Sequence, residues 1–202
     1  MTGSTTATIA DNANITATTV NVNARNNITT DKYSDEYDYT LFGRMGGVVD
    51  DVDYQRSSAT TNKSANINIG NNATVTTTGK QIYDASNDFN LSNKVYAEGG
   101  SALASLRWAK SHNYITMNET ITVDTNAELK NEGGTYDNGG ITLTAHDNLE
   151  HNPTANGNSQ AGFGGYVRAE TLTELNRNQT INVSGTSSQL CPGNIASQNV
   201  NQ

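Results

Sequence analysis

A short motif occurs four times in the chain, with about sixty residues between successive copies. Each copy has an apolar residue, two polar or small residues, Asn or Thr, a small residue, any residue and a second apolar residue. The copies occupy residues 9–15, 69–75, 123–129 and 183–189, and the fourth has lost its final apolar position at Gln189. Because a repeat of fixed period decides the architecture before any single residue does, this pattern indicates stacked, equivalent units.

A second motif follows the first in each of the first three units, at residues 20–28, 81–89 and 141–149. Its central alanines are again about sixty residues apart. A pair of adjacent glycines forms a third marker: Gly46-Gly47, Gly99-Gly100 and Gly164-Gly165. Three markers recurring in the same order define one repeating unit.

Both motifs alternate apolar and polar residues with the period of a β-strand. Thr and β-branched apolar residues dominate, and Asn, Asp and Gly end each stretch. The sequence therefore predicts an all-β solenoid. At roughly twenty residues per coil, each sixty-residue unit would make about three coils and the chain eight to ten. Equivalent positions would then lie about 14 Å apart along the axis.

The composition favours a solenoid over a compact globule. Only 34% of the 202 residues are hydrophobic, which is low for a compact core of this length. A solenoid tolerates this because each coil buries a thin inward stripe. Intrinsic disorder is the alternative at this polarity. The regular apolar alternation and the charged fraction of 16% favour the folded chain.

The charge argues against two classes of partner. The net charge is −8 and the isoelectric point is near 4.7, so no basic stripe is available to neutralise nucleic-acid phosphates. The sequence has no polybasic patch and no apolar run of membrane-spanning length, so we expect no membrane insertion. Cys191 is the only cysteine, which allows no internal disulfide.

We predict one β-solenoid domain over residues 1–190 and a tail over residues 191–202. The predicted units cover about residues 7–65, 66–118 and 119–178, with a half unit at 179–190. Each unit carries the two motifs and a less regular variable segment. Within one of these, Leu103 and Leu106 have helical spacing, whereas alternation from residue 102 to Trp108 favours a strand, and we predict the strand.

We predict no catalytic, metal or cofactor site, and therefore no enzyme. Two acidic clusters could hold Ca²⁺ or serve glycoside hydrolysis, but they lack the spacing of known calcium loops and fall in one variable segment. Their members are Asp31, Asp35, Glu36, Asp38, Asp50, Asp51 and Asp53. We interpret them as solvated surface charge.

The predicted recognition residues are aromatic, because exposed aromatic side chains favour interfaces and sugar stacking. They are Tyr33, Tyr37, Tyr39, Tyr54 and Trp108. Packing beneath a loop is the alternative role for them.

Asparagines recur at fixed motif positions, which predicts a structural role. The first motif carries Asn12, Asn72 and Asn126, and the second carries Asn26, Asn87 and Asp147. Because Asn tolerates a left-handed backbone and bonds its own turn, we expect both sets at corners between strands. Stacked amides could also form hydrogen bonds along the axis.

The two alternating motifs resemble those of the filamentous-haemagglutinin superfamily, most closely the leukotoxin-like filamentous adhesins of anaerobic bacteria. Residues 69–75 followed by 81–85, and 123–129 followed by 140–148, carry the resemblance, which covers roughly residues 7–190. It implies a right-handed parallel β-helix that is exported to the bacterial cell surface as a long shaft. The acidic first variable segment and Gln189 depart from the family pattern.

The resemblance therefore implies a structural shaft segment of a secreted adhesin or surface filament, which mediates attachment or display. Its partner would be a surface receptor or glycan, and open coil ends would favour head-to-tail self-association. The alternative is a carbohydrate-binding or carbohydrate-degrading β-helix.

Overall fold

A computed structural model describes residues 1–33, 37–45, 48–101, 104–133, 140–184 and 196–198. Side chains are described for these residues except within 31–55, 98–101, 160–161 and 196–198. The described chain is all-β, and no helix occurs in it. Its strands are β1 Thr2–Ile9, β2 Asn14–Ala17, β3 Val20–Tyr33, β4 Tyr37–Met45, β5 Val48–Ile69, β6 Thr74–Thr77, β7 Lys80–Ser101, β8 Ala104–Val123, β9 Glu128–Asn131, β10 Gly140–Ala161, β11 Gly164–Val183 and β12 Ala196–Gln198.

The strands form three sheets that the chain visits in turn. Sheet A has the order β1-β5-β8-β11, sheet B the order β2-β6-β9, and sheet C the order β3-β7-β10-β12. All of these pairs are parallel, and only β4 pairs antiparallel, with β5. We call one passage through A, B and C a coil. This arrangement is consistent with the expected β-solenoid.

Copies of each motif lie directly beside one another in the sheets. Ile9 pairs with Ile69, Ile69 with Val123, and Val123 with Val183. Since these partners are about sixty residues apart, each ladder step spans a whole repeat. The expectation of three coils per repeat is therefore wrong, and so are the 14 Å separation and the eight to ten coils. Paired positions lie about 4.8 Å apart, and sheet A contains four parallel strands.

The coil is long because its strands in sheets A and C are long. The strands β7 and β10 have 22 residues and β8 and β11 have 20. At about 3.3 Å per residue, such strands extend roughly 70 Å. The variable segments belong to these strands, because their apolar and polar residues keep alternating where the motifs end. In β8 the odd-numbered residues from Ser105 to Val123 are all buried.

The strand prediction for the segment around Trp108 is confirmed from residue 104 onward, since β8 begins at Ala104. The glycine pairs do not stack as a marker, because Gly99 pairs with Ser159 in sheet C and Gly165 with Ser105 in sheet A. A further strand, β12, lies within the predicted tail and pairs with residues 142–144 of β10.

The corner between sheets A and B depends on one asparagine per coil. Asn12, Asn72 and Asn126 have φ angles of 58°, 56° and 58°, as predicted for a left-handed corner residue. In the middle copy, the Ala73 N–H donates to the Gly70 carbonyl across the turn at 3.2 Å. The Asn72 amide also donates to Asn12 Oδ1 of the preceding coil at 3.3 Å.

The corner prediction for the asparagines of the second motif is wrong. Asn26, Asn87 and Asp147 lie inside β3, β7 and β10, where they pair in one ladder. They face the interior because each follows a buried central alanine by two residues. The predicted amide stacking nevertheless occurs there, since Asn26 Nδ2 donates to Asn87 Oδ1 at 2.7 Å.

The interior alternates between apolar clusters and polar layers along the strand direction. Three apolar clusters are centred on Ile67, Phe89 and Val95, and the first is the largest. Between the second and third clusters, Asn93 accepts from Ser57 at 2.5 Å and donates to Asn113 at 2.6 Å. These buried groups satisfy one another, which buried polar groups require in order not to destabilise the fold.

A second polar layer separates the first two clusters, and we call it the Glu119 layer. Its members are Thr5, Asn26, Asn87, Glu119, Asp147, Arg177 and Gln179. Thr5 donates to Asn26, which donates to Asn87, which donates to Glu119 Oε1. Asp147 accepts from Gln179 at 3.1 Å and forms an ion pair with Arg177 at 3.4 Å.

Glu119 is a buried carboxyl group of this layer whose hydrogen bonding is incomplete. It is 0% exposed, and its Oε2 atom has no hydrogen-bond partner among the described residues. Burial raises the pKa of Glu119 to about 7, against the opposing hydrogen bond from Asn87. The negative charge of Asp147 raises this pKa further, whereas the positive charge of Arg177 lowers it. The carboxyl group therefore titrates near neutral pH.

Replacement of the corner asparagine should destabilise the fold mainly through the backbone, with a smaller loss from the exposed hydrogen bond to Asn12. Asn72→Ala should lower the free energy of unfolding by about 1–2 kcal/mol, because a left-handed residue with a Cβ is strained. Asn72→Gly should retain most of the stability. Urea unfolding followed by circular dichroism measures the difference. Asn71→Ala, at the exposed preceding position, is the matched control and should match the parent chain.

Stability should decrease as the pH rises from about 4.5 to about 7. Folding favours protonated Glu119, so its full contribution is present below the unfolded pKa of 4.5 and is lost as the pH rises to about 7. The loss is roughly 3 kcal/mol. Glu119→Gln should remove this component, and Glu132→Gln, an exposed turn residue, should not. Identical pH profiles of unfolding for the parent and Glu119→Gln chains would contradict the assignment.

Candidate functional site

Only the outward side chains are available for recognition, because the inward ones fill the space between sheets A and C. Along β7 and β8 the odd-numbered residues are inward and the even-numbered residues outward. The two broad outer faces therefore present every second residue of each strand. Since paired strands lie about 4.8 Å apart, equivalent residues of successive coils form straight columns on these faces.

The predicted aromatic residues are only partly brought together. Tyr39 pairs with Tyr54 and Tyr54 with Trp108 along sheet A, whereas Tyr33 lies at the end of β3 in sheet C. Tyr37 lies at the start of β4. The side chains of the four tyrosines lie outside the described residues, so the recognition role predicted for them remains a prediction.

Trp108 is the predicted recognition residue whose side chain is described, and another residue covers its ring. The Arg168 guanidinium carbon lies 4.7 Å from the ring centroid, a cation–π arrangement. Arg168 Nε in turn donates to Glu170 Oε1 at 2.6 Å. Because this face of the ring already holds a cation, that face is not open for stacking a sugar in this conformation.

His112 joins two further residues on the same outer face. Its Nε2 atom lies 3.2 Å from Glu174 Oε1, and its Nδ1 atom lies 3.1 Å from the Tyr114 hydroxyl. The two rings are also in contact, with centroids 4.2 Å apart. The imidazole is nearly buried by this arrangement. These contacts connect β8 to β11 and account for the outward histidine as a structural residue.

A shallow polar groove lies on the outer face of sheet C. It has a volume of about 220 Å³. The strands β3, β7 and β10 each contribute to it, so the groove spans three coils. Its lining residues are Arg25, Asn27, Asp88, Phe89, Asn90, Asn148 and Glu150.

The charged groups of the groove are paired with one another. Arg25 forms an ion pair of 2.5 Å with Asp88. Asn90 Nδ2 donates to Glu150 Oε2 at 2.8 Å, and Asn152 Nδ2 donates to Glu150 Oε1 at 3.4 Å. Both carboxylates are therefore held in place by N–H donors from the protein.

Two amides of the groove have unused hydrogen-bonding capacity. Asn27 pairs with Asp88, and Asp88 pairs with Asn148, so the three form one outward column. Within the described part of the chain, the side chains of Asn27 and Asn148 have no hydrogen bond. Each free amide offers two donors and one acceptor. The groove thus presents donors and acceptors on both sides of a paired carboxylate.

Sequence reasoning missed this groove, although the signal was present. The second motif is recognised by its central alanines and its recurring asparagines, whereas the groove is built from its outward positions. Projecting the motif onto two faces places Asn27, Asp88 and Asn148 in one column. The pairing of Arg25 with Asp88, and the depth of the groove, depend on side-chain conformations that no pattern gives.

Several other features of the sequence analysis have no described site. The side chains of the acidic clusters and of Cys191 lie outside the described residues. Where side chains are described, no group of three or more His, Cys, Asp or Glu residues could hold a metal ion. The described part of the chain likewise has no helix long and apolar enough to span a membrane.

Comparison with known proteins identifies no relative. No family model matches the chain, and neither the curated proteins nor the solved structures contain a significant match.

The cover over Trp108 can be tested by fluorescence, because Trp108 is the only tryptophan. Arg168→Ala should expose the ring face and increase the quenching of its emission by acrylamide. Glu170→Gln should have a smaller effect in the same direction, since it removes the carboxylate that holds Arg168. Arg25→Ala, on the outer face of sheet C, is the control. Equal quenching in all four chains would contradict the stacked arrangement.

Proposed function

We propose that the chain is a structural shaft segment of a secreted bacterial filamentous adhesin or surface filament, folded as a right-handed parallel β-helix. The observation that carries this proposal is the register of the ladders. Each motif copy pairs with the next copy in all three sheets, so the same contacts repeat along one axis. A chain built in this way grows in length by adding repeats.

The interior suits a shaft because it repeats polar contacts as well as apolar ones. Successive coils are joined by backbone ladders, by apolar columns such as Ile9, Ile69 and Val123, and by the amide contact of Asn26 with Asn87. A polar contact favours one register of neighbouring coils, since a shift by two residues would place Asn26 against the buried apolar Ala85 or Phe89. In a shaft with fixed register, neighbouring coils cannot slide past one another, so the position of one end determines the position of the other.

We further propose head-to-tail self-association through the coil ends. Among the described strands, none pairs with the outer edge of β11. The inward residues Val167, Leu175 and Val183 are half-exposed there, although they continue buried columns. At the other end, the edge of β1 carries the column of Val183, at Ile9, since in the described chain β1 pairs only with residues 62–69 of β5. Contact between these unlike ends would be heterologous and would continue as a fibre.

The proposed location is the bacterial cell surface, outside the cell, and the proposed partner is a host or bacterial surface receptor or glycan. A shaft of this kind needs no cofactor and performs no catalysis. Recognition would come from outward side chains, because the inward columns serve stacking.

A carbohydrate-binding or carbohydrate-degrading β-helix is the second candidate. The degrading form would depend on Asp51 and Asp53, whose side chains lie outside the described residues. The binding form is favoured by the polar groove that contains Asp88. Hydroxyl groups of a sugar match such a mixture of amide and carboxylate groups.

The assembly proposal has a matched pair of test variants in β11. Leu175 and Leu172 are 45% and 43% exposed, but Leu175 continues the inward column of Ile115, whereas Leu172 points outward beside His112. Leu175→Asp should reduce concentration-dependent association because it places a charge in the end contact. Leu172→Asp should not. Multi-angle light scattering and electron microscopy measure the assemblies.

The parent chain should form linear particles whose mass increases with concentration. A strict monomer at high concentration would contradict the self-association. Compact particles without a fibre axis in the microscope would contradict the shaft itself.

A further inference from the structure

The column of Asn27, Asp88 and Asn148 places two unused amides around a carboxylate that already has a partner. We propose that the sheet C groove binds one sugar unit of a neutral, polyhydroxylated ligand. The two amides and Asp88 would hydrogen-bond neighbouring hydroxyl groups. This inference rests on the carbohydrate-binding candidate function and specifies its residues and ligand class.

The pairing within the groove argues against a metal ion. Asp88 is held by Arg25 at 2.5 Å, and both oxygens of Glu150 accept from amides at 2.8 and 3.4 Å. A divalent cation would have to displace these N–H donors before it gained carboxylate ligands. A hydroxyl group can instead donate to a remaining carboxylate lone pair while the existing contacts persist.

The charge of the groove argues against an anionic ligand. Two carboxylates face one guanidinium, and the whole chain carries a net charge of −8. A sulfate, phosphate or uronate group would therefore enter against a repulsive field. An apolar ligand also fits poorly, because Phe89 is the one apolar lining residue and is only 2% exposed.

The dimensions match a single sugar ring. Three strands at about 4.8 Å spacing place the outer amides of the column about 10 Å apart. A hydroxyl group on each side of one sugar ring could reach the two amides. A volume of about 220 Å³ holds one sugar ring but not several linked rings. The groove lies on an open sheet face, so neighbouring sugar units would remain in solvent.

The backbone beneath the groove is supported by buried neighbours. Phe89, directly after Asp88, belongs to the second apolar cluster, and Ile28 and Leu149 pack against that cluster beside Asn27 and Asn148. The backbone that carries each amide is therefore anchored by an adjacent inward apolar residue.

Biolayer interferometry of the full chain against immobilised maltohexaose, mannohexaose and N-acetylchitohexaose tests the proposal, with hyaluronan as an anionic comparison. At least one neutral probe should bind, and hyaluronan should bind more weakly. The double variant Asn27→Ala/Asn148→Ala should weaken the neutral interaction at least tenfold. Asn156→Ala, which changes an exposed amide of β10 outside the groove, should leave it unchanged.

The outcomes separate the groove from the candidate function. Binding of a neutral probe that survives the double substitution would overturn the groove assignment and leave carbohydrate binding elsewhere on the chain. Absence of binding to all neutral probes, or binding to hyaluronan alone, would overturn both. If the circular dichroism of the double variant is unchanged, a loss of binding arises from the removed amides. If the double variant unfolds, Asn27→Asp replaces it as the test and should also weaken binding.

Discussion

The backbone pairing between residues one repeat apart is the constraint on which the rest of the structure depends. It places every motif copy beside the next, about 4.8 Å away. Once the ladders are in register, side chains at equivalent positions form columns, and each column must be compatible with its own close repetition. Apolar residues, amides and small residues satisfy this condition, whereas stacked like charges do not. This condition accounts for the small fraction of charged residues in the chain, 16%, and for its many Asn and Thr residues.

The interior shows how a chain with few apolar residues can fill so wide a coil. Long strands in sheets A and C enclose more space than the hydrophobic residues can occupy, and polar layers fill the intervals between the apolar clusters. The polar layer formed by Ser57, Asn93 and Asn113 is internally hydrogen-bonded. The Glu119 layer includes a carboxyl group with one oxygen that has no hydrogen-bond partner among the described residues. The same device that fills the coil therefore makes its stability depend on pH near neutrality.

The sequence predicted the all-β class and the left-handed corner at Asn12, Asn72 and Asn126, because these depend on local patterns. It did not predict the length of the coil. A repeat of sixty residues is compatible with one large coil or three small ones, and the choice depends on whether the variable segments fold as strands. The alternation of inward and outward residues in the variable segments indicates strands. Polar residues at inward positions, such as Asn93 and Asn113, obscure this alternation in the sequence.

The candidate site was predictable only in part for the same reason. Trp108 was identified by its residue type, yet Arg168 covers it from a strand sixty residues further along the chain. The groove was overlooked because none of its residues is unusual alone, and it exists only when three copies of the second motif stand side by side. A repeat that specifies stacking thus also creates the columns that a ligand can contact.

Disulfide trapping across sheet B tests the one-coil repeat most directly. Thr16 pairs with Thr76, and Thr76 pairs with Lys130. In a background with Cys191→Ser, the pair Thr16→Cys and Thr76→Cys should form a disulfide under mild oxidation, because neighbouring strands lie within the range that a disulfide spans. The pair Thr16→Cys and Lys130→Cys, two coils apart, should remain reduced. Failure of the first pair to cross-link while the chain is folded would contradict direct stacking of the repeats.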